Sequence, residues 1–202
     1  MSRVLCYYVH MFDLTVTERC HRILAEYIKE GDIAVDCTAG NGHDTLFLAQ
    51  AVGEAGRVYA FDVQKEAIEN TSRLLSESGI DMSKVSLIQD SHANLADYFQ
   101  VNSLRPNIIM YNLGYMPGGD HSITTTETDT LKSLEISLVL ISPGGVISVI
   151  AYPGHAEGAR EMDSIKSLLS ELKPDKFEVV TITQDNRKNA PVLFLISAHH
   201  DL

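Results

Sequence analysis

The stretch Asp36-Cys-Thr-Ala-Gly-Asn-Gly-His-Asp-Thr45 decides how this chain is read. Upstream of it, Asp32-Ile-Ala-Val-Asp36 is a short apolar run of the kind that forms a buried strand. Downstream, Leu46-Phe-Leu-Ala-Gln-Ala-Val52 begins a helical pattern. Gly40 and Gly42 therefore fall at a strand-to-helix turn, where glycine permits positive φ and lets a ligand approach bare backbone. The helix beyond directs unpaired N–H groups back at the turn. In an α/β sheet such a turn is a nucleotide-type binding site. Gly-x-Gly alone is a common pattern, and the strand before it and the helix after it give it meaning.

Working outward, the chain alternates. A strand over 33–36 leads to a helix over 43–53, a strand over 57–61 to a helix over 65–78, and a strand over 85–89 to a short helix near 92–100. A strand over 107–111 leads through a long loop to a helix over 126–142, and a strand over 145–151 to a helix over 157–172. Such alternation implies a parallel sheet with helices on both faces. The end differs: Phe177–Thr183 and Val192–Ala198 are two strands joined by the turn-rich Gln184–Pro191, which predicts a hairpin. The fold class is α/β. The outline is a single-domain, Rossmann-like class I methyltransferase fold with a seven-stranded, mostly parallel sheet and an antiparallel C-terminal hairpin. Before the first strand, Thr15-x-x-Glu18 fits a capping box, and Val16, Cys20, Ile23, Leu24, Tyr27 and Ile28 recur at helical spacing until Gly31 stops the helix. Residues 1–31 thus read as an arm and a helix covering one end of the pocket, within one domain spanning 1–202.

Composition bounds the function. A hydrophobic share of 45% and a charged share of 21% are those of an ordinary globular chain. No apolar run is long enough to cross a bilayer, and the N-terminus lacks a signal-peptide core, so a cytoplasmic location is expected. Cys6, Cys20 and Cys37 are scattered and odd in number, which speaks for reduced thiols. Zinc-ligand spacing is missing, so no metal is expected. Sixteen basic against 27 acidic residues give a net charge of −11, which disfavours a broad nucleic-acid groove while allowing a local contact with one exposed base.

Ligands of doubly wound sheets bind outside the carboxyl ends of the strands. Those ends carry Asp36, Asp62-Val63-Gln64, Asp90-Ser91-His92, Asn112-Leu-Gly-Tyr115 and Tyr152-Pro-Gly-His155. Asp62, 26 positions after Asp36, can accept both hydroxyls of an adenosine ribose, with Gln64 adding a bond, or it can cap the following helix. Asp90, Ser91 and His92 either flank an adenine or cap a helix. A dinucleotide fingerprint would place a third glycine where Thr45 stands, and there is no second domain for a hydride donor's substrate. This, with the hairpin, favours S-adenosylmethionine as the cofactor.

Together, Asp36–Thr45, Asp62–Gln64, Asp90–His92 and Asn112-Leu-Gly-Tyr-Met-Pro-Gly-Gly-Asp120 resemble the YtqB-type family, long labelled rRNA methylases. The resemblance runs from about Thr15 to Ala198. It implies an S-adenosylmethionine-dependent tRNA methyltransferase acting on the aminomethyl group of 5-aminomethyl-2-thiouridine at the wobble position of an anticodon arm. It implies cofactor contacts at Gly40, Asn41, Gly42, Asp62, Gln64, Ser91 and His92, to which Thr38, Asp44, Thr45, Val63 and Asp90 are added as neighbours on the same strand ends. Cys37 departs from an expected Ala.

Asn112-Leu-Gly-Tyr115 resembles the Asn-Pro-Pro-Tyr signature of amino methyltransferases with both prolines replaced. In that signature the Asn side chain and the next carbonyl accept hydrogen bonds from the target nitrogen while the aromatic ring stacks on the base. Asn112, the carbonyl of Leu113, and Tyr115 are the corresponding catalytic candidates, with Asp120 or His121 to draw off a proton. A homodimer would widen the surface offered to an anticodon arm. Arg187 and Lys188 in the hairpin loop can meet phosphate or serve only as a solvated turn. A methyltransferase of rRNA or of a small molecule, and a non-catalytic nucleotide-binding module, stay open as alternatives.

Overall fold

The computed structural model describes residues 14–99, 104–114, 125–184 and 187–201. Seven strands form one sheet: β1 (Ile33–Asp36), β2 (Arg57–Asp62), β3 (Val85–Gln89), β4 (Ile108–Asn112), β5 (Val146–Ala151), β6 (Phe177–Ile182) and β7 (Val192–Ala198). Their spatial order is β3-β2-β1-β4-β5-β7-β6. All pairings are parallel except those of β7, which runs antiparallel to β5 and β6. Six α-helices among the described residues are α1 (Val16–Leu24), α2 (His43–Ala51), α3 (Lys65–Glu77), α4 (Leu95–Phe99), α5 (Glu127–Leu140) and α6 (Ala156–Ser170).

Side chains alternate across a strand, so each strand feeds two apolar layers. Ala34, Ile108, Met110 and Leu193 pack with Leu24 of α1, Leu48 of α2 and Leu75 of α3. Val35, Ile109, Val149 and Phe194 pack with Phe99 of α4, Leu134 of α5 and Ile165 of α6. The strands buried on both faces are accordingly Val- and Ile-rich, as β5 shows by burying all six of its residues.

The chain leaves β1 toward β2 on one side and later returns to place β4 on the other. The loops after β1 and β4 thus diverge at adjacent strands, opening a crevice at the carboxyl edge. The hairpin loop after β6 reaches the same edge, because Leu193 pairs with Ile182 while Val192 pairs with Ala151. Two shallow depressions of about 460 and 470 Å3 open at the other edge and gather none of the strand-end residues.

Two of the boundaries that differ from the sequence expectation bear on the site. The first helix opens on the capping box, with Thr15 N–H donating to Glu18 Oε2 at 2.7 Å and Glu18 N–H to Thr15 Oγ1 at 3.2 Å. It stops at Leu24 rather than running to Gly31, because Glu26 and Tyr27 tighten into i→i−3 bonds with Ile23 and Leu24. Strand β4 ends one residue later than expected, which makes Asn112 a strand residue rather than a loop residue.

Helix α5 carries a polar stripe, Thr130, Ser133 and Ser137, against the sheet, and all three side chains are buried. The fully buried Tyr111 hydroxyl is 2.6 Å from Ser133 Oγ and 2.7 Å from Ser137 Oγ, which fastens α5 to β4. Tyr111→Phe should therefore lower stability by about 1–2 kcal/mol, the cost of stranding a buried hydroxyl. Urea midpoints of the two proteins measure it, and an unchanged midpoint would refute this role.

Candidate active site

The crevice is built from Asp36 outward. Its carboxylate is wholly buried at the end of β1. Oδ1 accepts the Thr38 N–H at 3.0 Å and Oδ2 accepts the Thr45 hydroxyl at 2.6 Å. Burial, and then the negative charge of Asp44 beside it, push this carboxyl well above its ordinary range. The bend that follows places Gly40 at φ 51° and Gly42 at φ 86°, both left-handed, as expected of glycine there. Gly42 has a further reason to be glycine. A Cβ there would lie 2.8 Å from Thr71 Cα on α3.

The N–H groups of the bend face inward. Thr38 donates to Asp36, Ala39 to the Phe61 carbonyl, Gly40 to Asp62 Oδ2 at 2.9 Å, and Gly42 to the Ala39 carbonyl. These four N–H groups are thus taken by the protein. The Asp62 carboxylate closes the bend, and its other oxygen accepts the Gln64 N–H at 2.9 Å. Beside it Val63 is 52% exposed, an apolar surface at the mouth of the crevice.

Several predicted contacts also bond within the frame. Thr38 Oγ1 accepts the Asn112 N–H at 2.8 Å. Thr45 is fully buried, with its hydroxyl on Asp36. Both oxygens of Asp44 are engaged, one by His21 Nε2 at 2.6 Å and one by Asn112 Nδ2 at 2.9 Å. Asp90 accepts from Ser91 N–H, Asn94 Nδ2 and the Tyr98 hydroxyl, the capping alternative. Ser91 likewise caps the turn at 92–94 by accepting the Ala93 N–H. Among described residues Gly40, Asn41, Asp62, Val63 and Gln64 are at least partly exposed around the crevice.

His92, just past the end of β3, is 8% exposed and edge-on to Tyr111 at 5.7 Å between ring centroids. Its Nδ1 has no hydrogen-bond partner among the described residues. Burial lowers its pKa to about 4, against a small opposing pull from Asp129.

Asn112, at the end of β4, is brought directly to the bend. Its backbone is tied to Thr38, its Nδ2 to Asp44, and its Oδ1 accepts the Tyr152 hydroxyl at 2.9 Å. Tyr115, Asp120 and His121 lie outside the described residues. The foot of the loop that carries them is closed by two bonds between Gly114 and Thr125. Thr125 and Thr130 donate to Glu161, a 5% exposed carboxylate on α6. His155 serves as the N-cap of α6, its Nδ1 accepting the Gly158 N–H. Among the described residues no group of three or more His, Cys, Asp and Glu side chains is placed to hold a metal. No helix of the described residues is long and apolar enough to cross a membrane.

Sequence reasoning missed His21, Thr71 and Glu161. Each acts through a partner between 23 and 36 positions away, and local spacing carries no signal of such a pairing.

A sheet of this order with an antiparallel seventh strand, and a glycine bend at its switch point closed by an acidic residue of the next strand, define a class I methyltransferase. The chain belongs to the family described as "Putative rRNA methylase", whose model matches residues 58–198. It is 36% identical over 184 residues to the chloroplastic tRNA (mnm(5)s(2)U34)-methyltransferase of Arabidopsis thaliana, covering 88% of this chain and 67% of that one. A "putative rRNA-methylase" from Clostridium thermocellum superposes with a TM-score of 0.87 at 37% identity, over 92% of this chain and 98% of the other. A "putative methyltransferase" from Streptococcus mutans, solved in complex with SAH, superposes with a TM-score of 0.80 at 31% identity, over 90% and 97% of the two chains.

The buried, depressed His92 has a consequence for stability. In the unfolded chain a histidine titrates near its reference value of about 6.5. The folded chain resists that proton down to about pH 4. Stability contributed by neutral His92 is therefore complete above the unfolded value and declines as pH falls, by on the order of 2–3 kcal/mol at pH 4. His92→Gln should flatten this part of the profile when urea unfolding is followed from pH 7 to pH 4.5. Parallel wild-type and variant profiles would contradict it.

Proposed function

We propose that this chain is an S-adenosylmethionine-dependent N-methyltransferase that converts 5-aminomethyl-2-thiouridine at the tRNA wobble position to 5-methylaminomethyl-2-thiouridine. The observation that carries this reading is the direct bonding of Asn112 to the glycine bend through Thr38 and Asp44. A cofactor-type turn and a side chain suited to hold an amine form one unit. The name of the Arabidopsis relative and the ligand of the Streptococcus mutans structure support the same substrate and cofactor.

The residues present fit this cofactor better than a dinucleotide. A pyrophosphate needs backbone N–H groups, and those of Thr38, Ala39, Gly40 and Gly42 are already engaged. It would also meet Asp36, Asp44 and Asp62, whose charges act on one another across the crevice. The same three carboxylates favour a cation. Asp62 would hold the ribose hydroxyls with the second lone pair of each oxygen, Val63 would cover a face of the adenine, and the unpartnered His92 Nδ1 would find a polar atom. When bound, S-adenosylmethionine supplies an electrophilic methyl group on a sulfonium sulfur.

The chain's task is alignment and dehydration. An aliphatic amine at neutral pH is protonated, and stripping that proton costs about 3 pH units, or about 4 kcal/mol. Asn112 Oδ1 keeps one lone pair beyond that used by Tyr152, and the carbonyl of Leu113 follows it in the chain. Two acceptors suit the two protons of a neutral amine and leave its lone pair to react. Leu113 is 3% exposed and lends an apolar wall that disfavours the ammonium form. Stacking of the base on Tyr115, and proton removal by Asp120 or His121, belong to the same proposal. So do a single domain and an anticodon arm steadied by Arg187 and Lys188, which the hairpin brings to the site's edge. The reaction belongs in a compartment that holds tRNA, the cytoplasm in a cell without organelles.

The decisive assay is methyl incorporation into tRNA carrying the aminomethyl precursor, followed by nucleoside analysis. The methylaminomethyl nucleoside is expected, and transfer to rRNA but not to this tRNA would overturn the reading. Asp62→Ala should weaken S-adenosylmethionine binding by about tenfold or more in calorimetry, about 1.4 kcal/mol. Unchanged affinity would remove Asp62 from the ribose site.

A further inference from the structure

An asparagine that must present its oxygen to an amine has an inherent ambiguity. Its carboxamide is nearly symmetric, and half a turn about its last torsion exchanges the acceptor for a donor. A flipped Asn112 would face an incoming amine with N–H groups and repel it. Its neighbours decide the orientation. Nδ2 lies 2.9 Å from Asp44 Oδ2, an acceptor without protons when ionised, and Oδ1 lies 2.9 Å from the Tyr152 hydroxyl. A flip would set an amide oxygen against a carboxylate oxygen, two acceptors in contact.

The arrangement holds only while Asp44 remains an ionised acceptor in a fixed rotamer. Its side chain is 7% exposed, so it depends on protein donors rather than on water. Asn112 supplies one donor. The other comes from α1, where His21 Nε2 stands 2.6 Å from Asp44 Oδ1. Because the carboxylate only accepts, Nε2 carries the proton in this pair. The imidazole is itself held flat on the Phe47 ring, 4.1 Å between centroids and 7° from parallel. Asp44 and Phe47 lie three residues apart on α2 and so share one face of that helix. Helix α1, which precedes the first strand, is thereby wired to the end of β4.

We propose that His21 is a positioning residue: acting through Asp44, it fixes the amide orientation of Asn112 so that the substrate amine meets oxygen. The role rests on the amine-methyltransferase reading above. Asp44, in this view, orients Asn112 in addition to lending its charge to the crevice.

Three variants test it, His21→Ala, Asp44→Asn and His21→Gln, the last because a Gln amide can still donate to Asp44. In the protein alone, proton NMR of the wild type should show a downfield imidazole N–H resonance from His21 and a slowly exchanging, downfield-shifted side-chain N–H of Asn112. Both should be lost or moved in His21→Ala and in Asp44→Asn. In methyl transfer to aminomethyl-bearing tRNA, both variants should lose about tenfold or more in kcat, and His21→Ala should keep the KM for S-adenosylmethionine within about twofold of wild type. His21→Gln should recover most of the lost rate. Melting temperatures identify a variant that is merely unfolded, and His21→Gln then carries the comparison. Unchanged kcat in His21→Ala, a matching loss of cofactor affinity, or an Asn112 signal indifferent to His21 would each overturn the proposal. A wild type that transfers no methyl to this tRNA would instead defeat the functional reading, and the NMR comparison would still decide whether His21 orients Asn112.

Discussion

The buried carboxylate of Asp36 is the fixture on which the site depends. A charge fully removed from water is costly unless its lone pairs are met. Here Thr38 N–H and the Thr45 hydroxyl meet them, one on each oxygen. Satisfying Asp36 therefore makes the chain curl back over the end of β1 and start α2 at a set place. Gly40 and Gly42 supply the left-handed steps of that curl, and Asp44 is carried to the crevice beside Asn112. The same fixture shapes the local field. Asp44 and Asp62 raise the Asp36 carboxyl further, which is the signature of several like charges crowded at one sheet edge. A site with that field suits a sulfonium and an amine, both cationic in water, far better than a pyrophosphate.

A second buried carboxylate steadies the opposite wall. Glu161 of α6 holds Thr130 of α5 and Thr125 at the foot of the loop that leaves β4. Burial raises its pKa, and the two hydroxyl bonds oppose that rise. The bonds link α5, α6 and the paired Gly114 and Thr125, so the loop departs from a defined base next to Asn112. The polar stripe of α5 serves the same wall from the sheet side through Tyr111.

Much of this was legible in the sequence because it depends on local periodicity. Alternating apolar runs located the strands to within about a residue, and the turn-rich Gln184–Pro191 foretold the antiparallel hairpin. The Thr15–Glu18 box and the left-handed Gly40 and Gly42 follow from chemistry contained within a few residues. What periodicity cannot show is which way a polar side chain at a strand end turns. Asp44, Thr45, Thr38 and Asp90 carry the residue types of ligand contacts, yet each is taken by a protein partner. Tyr152 was legible as a residue at a strand's carboxyl end but not as the donor to Asn112, 40 positions away. His21 lay on a helix read only for its apolar face, and its bond to Asp44 spans 23 positions.

The central claim is that the amine acceptor at the end of β4 and the cofactor turn at the end of β1 serve one reaction centre. A crystal structure with S-adenosylhomocysteine and an anticodon stem-loop bearing the aminomethyl uridine tests it most directly. The claim predicts the substrate nitrogen within about 3 Å of both Asn112 Oδ1 and the Leu113 carbonyl, a hydrogen-bond distance, with the cofactor ribose on Asp62. A nucleotide seated away from Asn112, or a cofactor that leaves the Gly40–Gly42 bend untouched, would contradict it.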